Sequence, residues 1–221
     1  GKKAVFSGDI GCYTLGNAAP LEMVDTCLCM GAGVTIAQGL ERAESDATHF
    51  AFIGDSTFFH SGIPGVVNAV YNGTDIVLVV LDNSTTAMTG HQTHPGLGRT
   101  AQGEVAEKIA IAPVLQALGV RHIESCDPMQ LAEAEAAVNR AVEAGGVSAI
   151  IFESPCIAVT APGSMYAVAQ ELCTDCQVCI QRLGCPAIVR SGGVVSIDTS
   201  LCYGCSICAQ VCPTGAIGVA R

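Results

Sequence analysis

The chain is short of positive charge: 10 lysines and arginines face 20 aspartates and glutamates, a formal net charge of -10. Seven of the basic and 17 of the acidic residues precede Val168, so the acidic excess lies on the first part. Without a basic patch to neutralise phosphates, nucleic acid is not an expected partner. Long apolar runs are also missing, and none approaches the ~18 residues of a membrane span. The opening Gly1-Lys2-Lys3-Ala4-Val5-Phe6 leads into a strand rather than a signal sequence, so a soluble, cytoplasmic protein is expected. There is no initiating Met, and the expectation is a processed chain or a fragment of something longer. What the chain does have is apolar surface, 50% of its 221 residues, which excludes disorder and suffices for one medium domain and a small one. It also has 13 cysteines, eight of them in the last quarter. A secreted mini-protein would use these as disulfides; beside an α/β domain their spacing favours metal or cluster ligation.

Two short apolar runs, Phe50 to Ile53 and Ile76 to Leu81, have the unbroken β-branched character of strands buried on both faces of a parallel sheet. Lys3 to Phe6 reads as a first strand and Val147 to Glu153 as a last one. Helical segments are expected from Gly31 to Leu40, and from Glu104 to Leu118 with Pro113 opening a second short helix and Gly119 ending it. A further helix is expected to begin at Asp127-Pro128, bury Leu131, Ala134, Val138 and Ala141, and stop at Gly145-Gly146. Strands alternating with helices imply a mostly parallel sheet covered on both faces over residues 1–163. A linker, Ala161-Pro162-Gly163-Ser164, leads into a second unit, residues 164–221.

The first two runs each end in an oxygen ligand. Asp55 follows one, in Gly54-Asp55-Ser56, and Asn83 follows the other 28 positions later, in Asp82-Asn83-Ser84. A helix-length crossover between them puts both side chains at the same carboxyl edge of the sheet, where ligands bind. One carboxylate plus one amide oxygen suits Mg2+ holding a diphosphate; the plain alternative is a pair of turn caps. The polar, glycine-rich loop from Ser84 to Gly96 leaves that same edge. Its His91 and His94 have zinc-like spacing but no soft ligand nearby, so a site-lining or solvated role is expected. Cys27 and Cys29 are expected to be buried small apolar thiols, and with Cys12, Cys126 and Cys156 they stand apart from the cluster cysteines.

The last quarter contains an internal repeat. Cys173-Thr174-Asp175-Cys176-Gln177-Val178-Cys179 with Cys185-Pro186 is matched by Cys202-Tyr203-Gly204-Cys205-Ser206-Ile207-Cys208 with Cys212-Pro213. This is the bacterial ferredoxin spacing, in which three close thiolates hold one cluster and the distant cysteine holds the other. The first copy has five residues rather than three before its last cysteine, which lengthens a loop without removing a ligand. Crossed ligation assigns Cys173, Cys176, Cys179 and Cys212 to one [4Fe-4S] cluster and Cys202, Cys205, Cys208 and Cys185 to another.

With both halves read, the chain resembles the 2-oxoacid:ferredoxin oxidoreductases, and within them the C-terminal part of the alpha subunit of the indolepyruvate-oxidising branch. The resemblance runs along the whole chain through Gly8-Asp9-Ile10-Gly11-Cys12-Tyr13-Thr14-Leu15-Gly16, Gly54-Asp55-Ser56-Thr57-Phe58-Phe59-His60-Ser61-Gly62, Asp82-Asn83-Ser84, Met88-Thr89-Gly90-His91-Gln92 and the cysteine repeat. It implies a thiamine-diphosphate enzyme that decarboxylates an arylpyruvate oxidatively, transfers the acyl group to coenzyme A and passes electrons through two [4Fe-4S] clusters to external ferredoxin. By the same resemblance Asp55, Asn83 and the Thr85 carbonyl ligate Mg2+. Gly54 and Ser56, the latter in place of a commoner Gly, line the diphosphate, and Gly11, Cys12 and Gly90 lie near the cofactor. The implied partners are a beta subunit and the remaining N-terminal domains of the alpha subunit or a separate chain, one of which supplies a glutamate facing the aminopyrimidine. Two alternatives stay open: a different 2-oxoacid such as pyruvate, or a non-catalytic electron-transfer module.

Overall fold

The structure, a computed structural model, describes residues 3–220. Its first part alternates strands and helices. In chain order these are β1 (Ala4–Ser7), α1 (Ala32–Ala43), β2 (Thr48–Gly54), α2 (Asp55–Thr57), α3 (Ile63–Tyr71), β3 (Ile76–Asp82), α4 (Ile111–Ala117), β4 (His122–Cys126), α5 (Leu131–Ala144) and β5 (Val147–Glu153). A π-helical turn, Phe58–Gly62, joins α2 to α3. The strands pair in parallel in the order β1-β2-β3-β5-β4.

This order explains how the faces are covered. The connections from β1 to β4 all run in one direction across the sheet, and right-handed crossovers then put their helices on one face. There Val34, Ala37, Val66, Ala69 and Leu115 pack on Ile53, Leu78, Val80 and Ile151. The step from β4 back to β5 reverses direction, so α5 lies on the other face, with Ala137 and Ala141 against Phe50, Val77, Val79 and Ile150. Phe6 extends that second layer, its ring 5.4 Å from Phe50. Ile53, Leu78, Val80 and Ile150 are fully buried, each contributing about 1.5–3 kcal/mol by leaving water. The small residues of α1 let it sit close to the sheet: a Cβ on Gly33 would lie 2.6 Å from the Gly8 carbonyl.

Three local expectations need correction. Residues 104–110 are not helical; Val105 bridges to Arg99, Ala106 N–H donates to Gly98 and Ile109 N–H to Pro95, so this stretch is an exposed loop and only Ile111–Ala117 forms a helix. Pro113 sits inside the first turn of α4, where its missing N–H is tolerated. Asp127 does not cap α5 directly: its carboxylate accepts from Met129 N–H in a turn, and the helix starts at Leu131. Of the four residues expected on its buried face, only Ala141 is fully buried, with Ala137 beside it. Finally, β4 has no counterpart among the expected strands. It pairs only with β5 at the sheet edge and needs no continuous apolar run.

The second part contains β6 (Tyr166–Val168), α6 (Val178–Gln181), β7 (Ile188–Ser191), β8 (Val194–Ile197), α7 (Ile207–Val211) and β9 (Ile217–Val219). Strand β6 pairs with β9 and β7 with β8, both antiparallel. Gly192 and Gly193, with φ of 59° and 81°, supply the tight turn of the β7–β8 hairpin. The small core is Cys179, Ile188, Val195 and Ile217, ringed by further cysteines. Among the described residues, no helix is long and apolar enough to cross a membrane.

Candidate cofactor and cluster sites

Parallel strands bring their carboxyl ends to one edge. The loops leaving β1, β2 and β3 there enclose a cavity whose lining includes Gly11, Cys12, Gly54, Asp55, Ser56, Asn83 and Thr85. Seven of the eight residues singled out from the sequence for the cofactor thus meet in one place. The eighth, Gly90, lies outside the lining, at the end of a short 3-10 turn, Ala87–Thr89, that does contribute to it.

Asp55 opens α2 directly after β2 and is 2% exposed. Its Oδ1 accepts from Ser56 N–H at 2.8 Å and its Oδ2 from Ser84 N–H at 2.9 Å. The second contact is possible because Ser84 adopts a left-handed φ of 58°, which folds the loop after β3 back over Asp55. His94 Nε2 stands 3.2 Å from Asp55 Oδ2, with both side chains buried. Burial raises the Asp55 pKa, but His94 and the Ser56 N–H more than offset it and hold the carboxyl below its usual range. The neighbouring Asp82 goes the other way, raised by burial and then by Asp55. The lowered direction at Asp55 favours its carboxylate form, the form in which a carboxyl ligates metal. Asn83 Oδ1 accepts from Thr85 N–H at 3.1 Å and retains a second lone pair. Buried Thr85 completes a set of hard oxygen donors of the type Mg2+ takes.

Tyr13 and Asp9 belong to this site although no metal or cofactor pattern singles them out. Tyr13 Oη accepts from Gly54 N–H at 2.9 Å and donates to Asp9 Oδ2 at 3.2 Å. Asp9 Oδ1 in turn accepts from Gly31 N–H at 2.7 Å. This network ties the loop after β1 to the start of α1 and to the Gly54 backbone. Burial raises both pKa values, so the phenol stays a neutral donor. Gly11 is needed here because a Cβ would lie 2.3 Å from the Tyr13 ring. The sequence signal was their place in the Gly8 to Gly16 stretch that carries the family resemblance, which gave neither residue a role. His94 is neither solvated nor part of the cavity lining but is buried against Asp55, whereas His91 is exposed. Cys27 and Cys29 are exposed rather than buried, because the long segment between β1 and α1 lies on the surface.

The repeat cysteines gather into two sets. Cys173, Cys176, Cys179 and Cys212 line one cavity, and Cys185, Cys202, Cys205 and Cys208 line another. Each set thus takes its fourth cysteine from the other copy of the repeat. The loops are conformational copies: Asp175 and Gln177 (φ 52° and 60°) occupy the positions of Gly204 and Ser206 (φ 82° and 67°), all left-handed. Burial, then the neighbouring Cys205, pushes the Cys208 thiol up to about 11, and burial raises Cys179 as well. Cys212 goes the other way: against the opposing effect of burial, it is lowered by hydrogen bonds from Thr214 and from the Ala216 and Ile217 backbone. Among the described residues, no group of three or more His, Cys, Asp or Glu is placed to hold a single metal ion.

Residues 9–152 match the thiamine pyrophosphate enzyme C-terminal TPP binding domain, and residues 195–218 match a 4Fe-4S binding domain. The chain is similar to indolepyruvate oxidoreductase subunit IorA of Archaeoglobus fulgidus, with 43% identity over 99% of this chain and 36% of that protein. It is similar to the same subunit of Methanothermobacter thermautotrophicus (44% identity, 98% of this chain, 35% of that protein) and of Pyrococcus horikoshii (39%, 99% and 37%). It therefore spans about a third of the length of these curated relatives. A solved 2-oxoglutarate:ferredoxin oxidoreductase from Magnetococcus marinus, with 2-oxoglutarate, coenzyme A and succinyl-CoA bound, shares the fold at a TM-score of 0.60 and 18% identity, over 70% of this chain and 55% of that one.

Proposed function

Since the chain belongs to the thiamine pyrophosphate enzymes, through their C-terminal TPP binding domain, we propose that it is the diphosphate-holding and electron-carrying part of a 2-oxoacid:ferredoxin oxidoreductase acting on indolepyruvate or a related arylpyruvate. The balanced reaction joins one 2-oxoacid anion and one coenzyme A thiol to give acyl-CoA, carbon dioxide, one proton and two electrons. The electrons reduce two molecules of a one-electron iron–sulfur acceptor.

The observation that carries this reading is the convergence of Asp55, Asn83 and Thr85 on one cavity at the carboxyl edge of a parallel sheet, in a chain that also holds two four-thiol sets. Asp55 and Asn83 by side chain and Thr85 by carbonyl would hold Mg2+; the backbone at Gly54 and Ser56 would approach the diphosphate, and Gly11, Cys12 and Gly90 would border the cofactor. When bound, thiamine diphosphate supplies the carbanion that adds to the 2-oxo carbon. The Tyr13 hydrogen bond keeps Gly54 N–H in place, and Ser56 Oγ is fixed by Thr86 Oγ1 at 2.8 Å. The thiol sets Cys173, Cys176, Cys179, Cys212 and Cys185, Cys202, Cys205, Cys208 would each hold a [4Fe-4S] cluster, the arrangement of two-cluster ferredoxins. The choice of an arylpyruvate rests on relatives named for indolepyruvate at 39–44% identity.

The cavity is open at this edge, with Leu15, Leu28 and Met88 exposed on the flanking loops. The rest of a longer subunit or a second chain would cover it and supply the glutamate facing the aminopyrimidine. The test is anaerobic purification with counting of iron and sulfide, followed by calorimetry with thiamine diphosphate and Mg2+ in the assembled enzyme. About eight irons per chain and Mg2+-dependent binding abolished by Asp55→Ala are expected. Iron without thiamine binding would turn the reading into an electron-transfer module; zinc without iron would overturn it.

A further inference from the structure

We infer that the two thiol sets are not equivalent: Cys185, Cys202, Cys205 and Cys208 form the inner set, seated on the sheet domain by Tyr203, and Cys173, Cys176, Cys179 and Cys212 form the outer set. The inference rests on the reading that both sets hold clusters. The repeat gives the two three-cysteine loops the same spacing and the same left-handed positions, so the asymmetry lies in what each loop docks against.

Around the inner set, docking contacts are dense. Tyr203, next to Cys202, points its hydroxyl at the Thr160 carbonyl, 2.5 Å away, and the Ile157 carbonyl, 3.0 Å away, and the same hydroxyl lies 2.6 Å from Thr160 Oγ1. Its own carbonyl accepts from Gly163 N–H at 3.0 Å. Gly204 packs so closely on the same strap that a Cβ would lie 2.6 Å from the Ser164 carbonyl. Two residues past Cys208, Gln210 donates to the Met129 carbonyl at 2.7 Å and accepts from Leu131 N–H at 3.0 Å, where α5 begins. Gly184, beside Cys185, abuts Pro20. The expected linker at 161–164 is thus a docked strap.

The outer set lacks this support. Among the described residues, the hydrogen bonds made by residues 173–181 and 212–216 stay within the cysteine-rich part itself. Repeat symmetry puts Thr174 where the inner loop has Tyr203, and Thr174 is exposed and too short to span such a gap. Gln181, the counterpart of Gln210, makes no side-chain hydrogen bond to the described residues of the sheet domain.

Tyr203 also connects the inner set to the diphosphate side of the sheet. Cys156 N–H donates to the Asn83 carbonyl at 2.8 Å, Ile157 follows in the chain, and its carbonyl accepts from Tyr203. Two hydrogen bonds and two peptide linkages therefore join Asn83 to Cys202. Tyr203 is the positioning residue of the inner set, and the outer set is the one a soluble acceptor reaches.

The test uses the anaerobically purified full chain reduced with dithionite, with electron paramagnetic resonance read before and after addition of a water-soluble dysprosium chelate. Cys176→Ala leaves the inner cluster and Cys205→Ala the outer one. The outer signal should relax several-fold faster with the chelate than the inner. Tyr203→Phe should keep its iron, shift the inner signal but not the outer, and raise hydrogen exchange over residues 157–163 about tenfold. If a cysteine variant loses both clusters, the wild-type protein decides, because its two signals must differ in their response to the chelate. Equal or reversed relaxation in iron-replete protein overturns the order, and an unchanged inner signal in Tyr203→Phe overturns that residue's role. Protein without iron overturns the cluster reading beneath both.

Discussion

The sheet domain and the cysteine-rich part are held together by different forces. In the first, Ile53, Leu78, Val80 and Ile150 are fully buried between helices on two faces, and hydrophobic burial alone closes the structure. The second has two two-stranded sheets, helices of four and five residues, and a core of Cys179, Ile188, Val195 and Ile217 ringed by thiols. A unit of that size rarely buries enough apolar surface to offset its chain entropy, and on the proposed reading a bound centre cross-linking its loops would make up the difference. The proposed sites would follow suit. One would be a cleft on a scaffold that stands without its ligand; the other would be part of the scaffold.

The largest effect should come from stripping iron with a chelator under reducing conditions. Hydrogen exchange over residues 165–220 should lose its protection while β2, β3 and β5 keep theirs; retained protection in both would erase the contrast. Next, Leu78→Ala should cost the sheet domain about 2–5 kcal/mol in denaturant unfolding and leave the cluster absorbance unchanged at low denaturant. Asp55→Ala should weaken Mg2+-dependent diphosphate binding about a hundredfold or more, with the iron content unaltered; loss of iron as well would mean that the two sites are structurally linked. Tyr13→Phe leaves the Gly54 N–H without its acceptor, and about 1–2 kcal/mol of cofactor affinity should go with it.

The smallest effect concerns the surface of the sheet domain. Hydrogen bonds from Arg140 hold the Glu124 carboxyl below its usual 4.5. A depressed carboxyl adds stability above its ordinary pKa and loses it as pH falls through the lower folded value. Glu124→Gln should melt about 1 °C or less below wild type at pH 7, because the pair is exposed. The two curves should converge below pH 4.5; a gap that persists in acid would assign the difference to packing.

How much could be read in advance varied with the range of the interactions. The runs at 50–53, 76–81 and 147–153 are legible as strands because a strand buried on both faces has no polar position to obscure it. Edge strand β4 has no such signature, and the polar loop at 104–110 passes for a helix because nothing local marks the bridge between Arg99 and Val105. Within the site, Asp55 and Asn83 stand out as oxygen ligands closing hydrophobic strands. Asp9 and Tyr13 do not, since their role is a hydrogen-bond network that exists only once β1, β2 and α1 are side by side.

The sequence by itself determined the periodicity of the elements, the two-copy cysteine spacing and the placing of Asp55 and Asn83 after strands, because each is a matter of a few neighbouring covalent bonds. Tertiary structure alone decided that residues 11, 55 and 83 share a cavity with Tyr13, and that His94 reaches Asp55. It also decided which cysteine set rests on the sheet domain. These depend on strand order, crossover hand and the packing of segments as far apart as Met129 and Gln210, and two repeat copies with the same three-cysteine spacing become different through what each one touches.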